Sequence, residues 1–112
     1  MEKSIFQRVI DREIPSSIAF ENEDYIAIHD INPQAPVHLL VIPKKLSTRL
    51  DEIMDPLELG QLYAVAVEVA KAHLTDYMLV TNVGAGAGQT VFHTHIHILG
   101  GWETPPKVLG AH

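Results

Sequence analysis

The sequence predicts an α+β fold, a mainly antiparallel sheet of about five strands with two helices. Short apolar and β-branched runs recur along the chain, separated by clusters of Asn, Asp, Gly and Pro. One long segment beginning at Asp55 has both a helix start signal and helical spacing. The order is helix, strand, strand, strand, helix, strand, strand, with no internal repeat or low-complexity tract. All 112 residues read as one domain, 1–112, with a modest core of its own.

The first helix is expected over residues 4–13. Ile5, Phe6, Val9 and Ile10 form one apolar face with charged residues opposite, and Ser4 suits the N-cap. Ile14-Pro15 is the expected stop, because the residue before a proline is pushed out of the helical region. Taken alone, Ile5, Phe6 and Val9 read as core. Residues 18–21 and 25–30 read as strands around the turn cluster Asn22-Glu23-Asp24, hence a hairpin. Asn32-Pro33-Gln34-Ala35-Pro36 is a loop. Residues 37–43 are almost continuously apolar and suit a central strand covered on both faces. His38 is the exception there, and alone it reads equally as a hydrogen-bonded structural histidine.

Residues 44–54 are a polar linker with room for a helical turn. In Asp55-Pro56-Leu57-Glu58 an aspartate caps, a proline opens the first turn and a glutamate closes it, and the helix should run to about residue 73. Its polar positions Glu58, Gln61, Glu68 and Lys71 fall within roughly 140° at 100° per residue. The remaining apolar arc is wider than one sheet face requires, which implies packing against a second subunit as well. Residues 77–83 read as a strand. The loop 84–90 has glycine at alternate positions, so its N–H groups are expected to converge on an anion. It lacks the lysine and spacing of a P-loop. The tail from Trp102 contains Pro105-Pro106 and little periodicity.

Composition narrows the function. Hydrophobic residues make up 46% of the chain, as in globular proteins. The net charge of −6, with no basic run beyond Lys44-Lys45, argues against nucleic acid or an anionic membrane as partner. A small anionic ligand stays open, since a few local donors can hold a phosphate. Without cysteine there is no disulfide, no thiolate metal site and no cysteine nucleophile. Met1-Glu2-Lys3-Ser4 carries no apolar signal core and no apolar run reaches membrane-spanning length, so cytoplasmic residence is expected.

The chemistry concentrates in His93-Thr94-His95-Ile96-His97-Ile98-Leu99, followed by Gly100-Gly101. On a strand, His93, His95 and His97 share one face and Thr94, Ile96 and Ile98 the other. Alternate strand positions lie roughly 6.6 Å apart, and the outer two histidines roughly 13 Å. Two of them could chelate one ion with help from elsewhere, but all three on one regular strand could hardly do so. The row fits better as contacts along a polar substrate, with one imidazole as nucleophile.

The motif resembles the histidine-triad (HIT) superfamily, whose signature is His-φ-His-φ-His-φ-φ with φ apolar, and within it the Hint branch of nucleotide-binding proteins. Thr94 takes the first apolar slot. The similarity continues through Ile5-Phe6, Glu13-Ile14-Pro15, His29-Asp30-Ile31, Pro33-Gln34-Ala35-Pro36, His38, Val41-Ile42-Pro43-Lys44-Lys45, Gly88-Gln89 and Gly100-Gly101. It therefore covers most of the chain, from Ile5 to Gly101.

The resemblance implies a HIT-like α+β fold that forms a homodimer through the long helix and a strand. It also implies a purine nucleoside monophosphate or phosphoramidate as ligand, with no cofactor and no metal. By motif position, His95 is the nucleophile, His97 a phosphate contact, and His93 and His38 supports. Asp30 would meet the ribose hydroxyls. Asn82, Gly88, Gln89 and Thr90 would line ribose and phosphate. Ile5, Phe6, Val9, Ile28, Ile31 and Leu40 would enclose the base, which replaces the core-only reading of the first three. The implied activity is that of a purine nucleoside phosphoramidase cleaving P–N bonds through a nucleotidyl-histidine. Its alternatives are a dinucleoside polyphosphate hydrolase and a nucleotide-binding interaction module. Transferase relatives carry glutamine at the third triad position, where this chain has His97.

Overall fold

A computed structural model describes residues 2–107. Helix α1 (Ile5–Ile10) is followed by β1 (Ile18–Glu21), β2 (Tyr25–His29) and β3 (Val37–Pro43). Helix α2 (Pro56–His73), β4 (Tyr77–Val80) and β5 (Ile96–Gly100) complete the order. The strands form one five-stranded sheet in the order β1-β2-β3-β5-β4, antiparallel throughout. Short 3-10 turns occupy Leu50–Glu52 and Ala85–Ala87.

Central β3 is buried along nearly its whole length, as its continuous apolar run requires. Strand alternation divides the core into two layers. On one face Ala27, Leu39, Val41, Ile96 and Ile98 pack against Leu62, Ala66, Val69 and Ala70 of α2. On the other, Ile26, Ile28, Leu40 and Ile42 pack against Phe6 and Val9 of α1. The register Ile28↔Leu40↔His97↔Val80 runs across four strands on the α1 side, so His97 lies in line with apolar side chains. Because α1 is only six residues long, it covers part of that face and leaves a recess beside the histidines.

Both helix starts are as the sequence indicates. Ser4 accepts from the Gln7 N–H and Asp55 from the Leu57 N–H, each satisfying a donor of the first turn. The end of α1 differs. It stops at Ile10, before Ile14-Pro15 is reached, because Arg12 adopts a left-handed conformation (φ 62°). The Arg12 N–H donates to the Val9 carbonyl and the Glu13 N–H to the Arg8 carbonyl, a Schellman ending built without glycine.

The strand around the histidines is also shorter than expected. Strand β5 begins at Ile96, so His93 and His95 precede it, and β4 ends at Val80 rather than residue 83. The chain at Thr94 bonds the linker instead of a neighbouring strand. The Thr94 N–H donates to the Ser47 carbonyl (2.8 Å), and the Ser47 hydroxyl donates to Thr94 Oγ1 (2.7 Å). These bonds explain how a polar threonine sits buried where the pattern leads one to expect an apolar residue.

Among the described residues no helix is long and apolar enough to cross a membrane. Residues 108–112 of the tail lie outside the described residues.

Gly100 ends β5 against the start of β4. An added Cβ would stand 2.6 Å from Leu74 Cδ1 and 3.0 Å from the Asp76 carbonyl oxygen. Gly100→Ala should therefore destabilise the fold by about 1–3 kcal/mol. Urea denaturation measures this, and an unchanged midpoint would contradict the packing described.

Candidate active site

A cavity of about 330 Å³ opens between α1 and the sheet. Its apolar wall is Ile5, Phe6 and Val9 of α1 with Ile28 of β2 and Leu40 of β3. Its polar end carries Asp30, Thr90, His95 and His97, and Ile31, 82% exposed, stands at the mouth. Such a recess, apolar with a few convergent polar groups, is what a small-molecule site looks like. A larger open cleft of about 620 Å³ flanks α1 near Lys3, Ser4 and Phe92, but none of the three motif histidines lines it.

Hydrogen-bond partners determine the histidine tautomers. His93 Nε2 lies 2.8 Å from the Pro43 carbonyl, which only accepts, so this nitrogen carries the proton. His95 Nδ1 likewise donates to the His93 carbonyl at 2.7 Å. In the neutral ring Nε2 of His95 then keeps its lone pair, and the ring lines the cavity. Phe6 meets the His95 ring edge to face at 4.9 Å, and His97 packs against it at the same centroid distance. On His38, Nδ1 accepts from the Gln34 N–H (3.0 Å), so Nε2 donates to His97 Nδ1 (2.9 Å). His97 in its neutral form therefore carries its proton on Nε2. A ring with an available lone pair thus stands beside one with an available N–H.

Burial is the main force on these rings, because a low-dielectric surrounding disfavours the charged form. It holds His38, His93 and His95 below the usual histidine value. His97 is pushed down to about 4 by burial and then by the charges of His95 and His38, with Asp30 opposing. At neutral pH all four imidazoles are uncharged, which relieves the repulsion that a row of histidines invites.

Asp30 caps its own turn, accepting from the Asn32 N–H (2.8 Å), while its other oxygen lies 3.5 Å from His38 Nε2. Asp30, His38 and His97 offer ligand atoms within 4.8 Å of one another, a carboxylate and two imidazoles of the kind that bind zinc. His38 and His97 already share a proton in that space, however, so an ion would have to displace it.

Five of the anticipated residues are not on the cavity wall: His93 and His38, which bond to groups behind it, and Asn82, Gly88 and Gln89. Asn82 donates to the Ala87 carbonyl (2.8 Å) and braces the glycine loop. The buried Gln89 side chain accepts from the Gly84 N–H and donates to the Thr48 and Val91 carbonyls. The N–H groups of Gly88 and Gln89 donate to Ala85 and Gly84 carbonyls, so they turn inward instead of converging on an anion. The 3-10 turn takes up the N–H groups of Ala87, Gly88 and Gln89, which a reading of glycine spacing cannot reveal. Sequence reasoning missed Ser47 and the Pro43 carbonyl as partners of the motif, Thr48 as a partner of Gln89, and Ile14, Pro15, Ser16, His29, Asn32 and Val91 as lining. Val91 follows Thr90 directly and His29 and Asn32 flank Asp30 and Ile31, but the rest carry no such local signal.

The family model of the HIT domain matches residues 11–104. The chain belongs to the HIT domain family. It is 50% identical to an uncharacterised HIT-like protein of Synechocystis, over 94% of this chain and 97% of that protein. A HIT family hydrolase from Clostridium thermocellum superposes with a TM-score of 0.86 at 44% identity, covering 97% of this chain and 99% of the other. A HIT family hydrolase from Legionella pneumophila does so at 0.84 and 39%, covering 90% and 95%. Hydrolases of the family are thus among its near structural relatives, and their shared fold is the five-stranded antiparallel sheet with two helices.

The buried imidazoles make stability depend on pH. Unfolded, His97 returns to its ordinary 6.5, whereas folded it sits at about 4. Between those values the unfolded chain binds more protons, so stability is complete above the upper value and falls as pH drops through the window. Melting followed by circular dichroism from pH 7 to pH 4 should show that decline, with a shallower slope for His97→Gln. Equal slopes for the two proteins would refute it.

Proposed function

We propose that the chain is a hydrolase that cleaves the P–N bond of purine nucleoside 5′-phosphoramidates through a nucleotidyl-histidine intermediate. The observation that carries this reading is the hydrogen bond from His95 Nδ1–H to the His93 carbonyl. It aims an imidazole with a free Nε2 lone pair into a cavity with an apolar wall and a polar end. The apolar slot of Ile5, Phe6, Val9, Ile28 and Leu40 suits a flat purine. Asp30, an acceptor at the cavity edge, suits the vicinal hydroxyls of ribose and repels a phosphate, which orients the ligand with its sugar there. Thr90 supplies a hydroxyl towards the phosphate.

In this mechanism His95 Nε2 attacks the α-phosphorus. The anionic phosphate favours an added proton on His97 Nδ1, against the lowering that burial imposes, and the His38 Nε2–H that this nitrogen had accepted turns to Asp30 Oδ2, 3.5 Å away. His97 delivers a proton from Nε2 to the leaving nitrogen as the P–N bond breaks. Water then attacks phosphorus, His97 takes its proton, and neutral His95 departs. Asn82, Gly88 and Gln89 act in this scheme by holding the loop that presents Thr90.

We also propose a homodimer. Helix α2 leaves Leu57, Ala64 and Val67 exposed, and β4 is an edge strand with unpaired backbone groups on one side.

Mass spectrometry of protein quenched during turnover of adenosine 5′-phosphoramidate should find one nucleotidyl group on His95. His95→Ala should bind AMP and lose turnover by at least about a thousandfold. Unchanged hydrolysis by that variant would sink the assignment. A wild-type protein that binds AMP and cleaves no phosphoramidate would make the chain a binding module, and one that cleaves only dinucleoside polyphosphates would move it to that neighbouring activity.

A further inference from the structure

We propose that Ser4 is a positioning residue for the nucleophilic histidine, its hydroxyl joining the first turn of α1 to His93, whose carbonyl orients His95. The proposal rests on the reading of His95 as nucleophile. Three bonds compose the link. The Gln7 N–H donates to Ser4 Oγ at 3.0 Å, Ser4 Oγ lies 3.3 Å from His93 Nδ1, and His95 Nδ1 donates to the His93 carbonyl at 2.7 Å. The direction of the middle bond follows from the others. His93 Nε2 spends its proton on the Pro43 carbonyl, so Nδ1 of the neutral ring is an acceptor and the serine hydroxyl donates to it.

His93 is fully buried, so each ring nitrogen needs a partner inside the protein. Pro43 serves one and Ser4 the other. With both satisfied the ring cannot rotate, and the peptide carbonyl that holds His95 stays in place. Ser4 also begins the helix that brings Phe6 against the His95 ring and Ile5 and Val9 to the cavity. One hydroxyl therefore ties the wall of the apolar slot to the aim of the nucleophile. The link spans 89 positions of sequence, which is why a serine that reads only as a helix cap also serves the site.

A hydrogen bond donated to Nδ1 favours the neutral ring. The titratable group acting on His93 is His95, whose charge would work in the same direction. Nearby Lys3 is paired with Asp11 (2.7 Å) on the α1 side, and Lys44 of the linker with Glu21 (2.8 Å). Loss of the serine donor should thus ease protonation of His93 and move the acid limb of activity to higher pH.

Capping and positioning separate in three variants of the full chain. Ser4→Thr keeps both the cap and the donor. Ser4→Asp keeps a good cap but presents a carboxylate that only accepts, and Ser4→Ala removes both. On adenosine 5′-phosphoramidate, Ser4→Thr should stay within about twofold of wild type. Ser4→Asp should keep the α1 cap and KM, and lose less melting temperature than Ser4→Ala, while kcat falls about tenfold and the acid limb moves up. The imidazole nitrogen shifts of His93, followed by NMR against pH, should show a raised titration in Ser4→Asp and Ser4→Ala only. Wild-type kcat and pH profile in Ser4→Asp, or a Ser4→Ala variant that loses only melting temperature, would overturn the proposal. If wild type itself forms no His95 adduct, the functional reading fails separately, and the His93 shifts still decide whether Ser4 holds that ring.

Discussion

The hydrogen bond between the His95 ring and the carbonyl of His93 is the contact on which the arrangement of the site depends. A buried imidazole must place its N–H on an acceptor, and a backbone carbonyl is an acceptor that carries no charge and cannot titrate. Donation from Nδ1 decides which nitrogen faces the cavity. Everything nearby then serves to keep that carbonyl still. His93 is clamped between the Pro43 carbonyl and Ser4, and Thr94 is bound to Ser47 on the next residue along. Among the described residues no buried side-chain nitrogen or oxygen lacks a partner. A network this fully satisfied has few alternative arrangements, so the ring geometry is set before any ligand arrives.

The sheet makes this possible by giving its two faces different tasks. One face is filled by α2 and is plain core. The other is only partly covered, because α1 ends after six residues in the left-handed turn at Arg12. A helix reaching the proline would have covered more of the recess. Truncating it leaves His95 and His97 beside an apolar slot, where desolvation keeps them neutral. Neutrality leaves His95 a lone pair on Nε2. For His97 the same burial, together with the charges of His95 and His38, opposes uptake of a proton.

Much of the fold was legible in residue pattern. The continuous run at Val37–Pro43, the capped start of Pro56–His73 and the hairpin about Asn22-Glu23-Asp24 are local signals, and each element formed where its signal lay. The limits that were missed are those set by distant partners. Strand β5 begins three residues late because Thr94 bonds Ser47, and the glycine loop closes upon itself because Gln89 reaches Gly84 and Thr48. In both cases the deciding partner lies outside the window in which periodicity is read.

The same division applies to the site. Alternation of His93, His95 and His97, the apolar residues of α1, and the family signature together named the residues and the chemical class. Periodicity reports which side chains share a face, and imidazole chemistry limits what such a face can do. Only tertiary contacts assigned a tautomer to each ring, moved Asn82, Gly88 and Gln89 from the cavity wall to the support of a loop, and joined Ser4 to His93. Those outcomes depend on which carbonyl or hydroxyl happens to stand opposite a buried nitrogen. That is a matter of three-dimensional register, and a one-dimensional pattern carries no record of it.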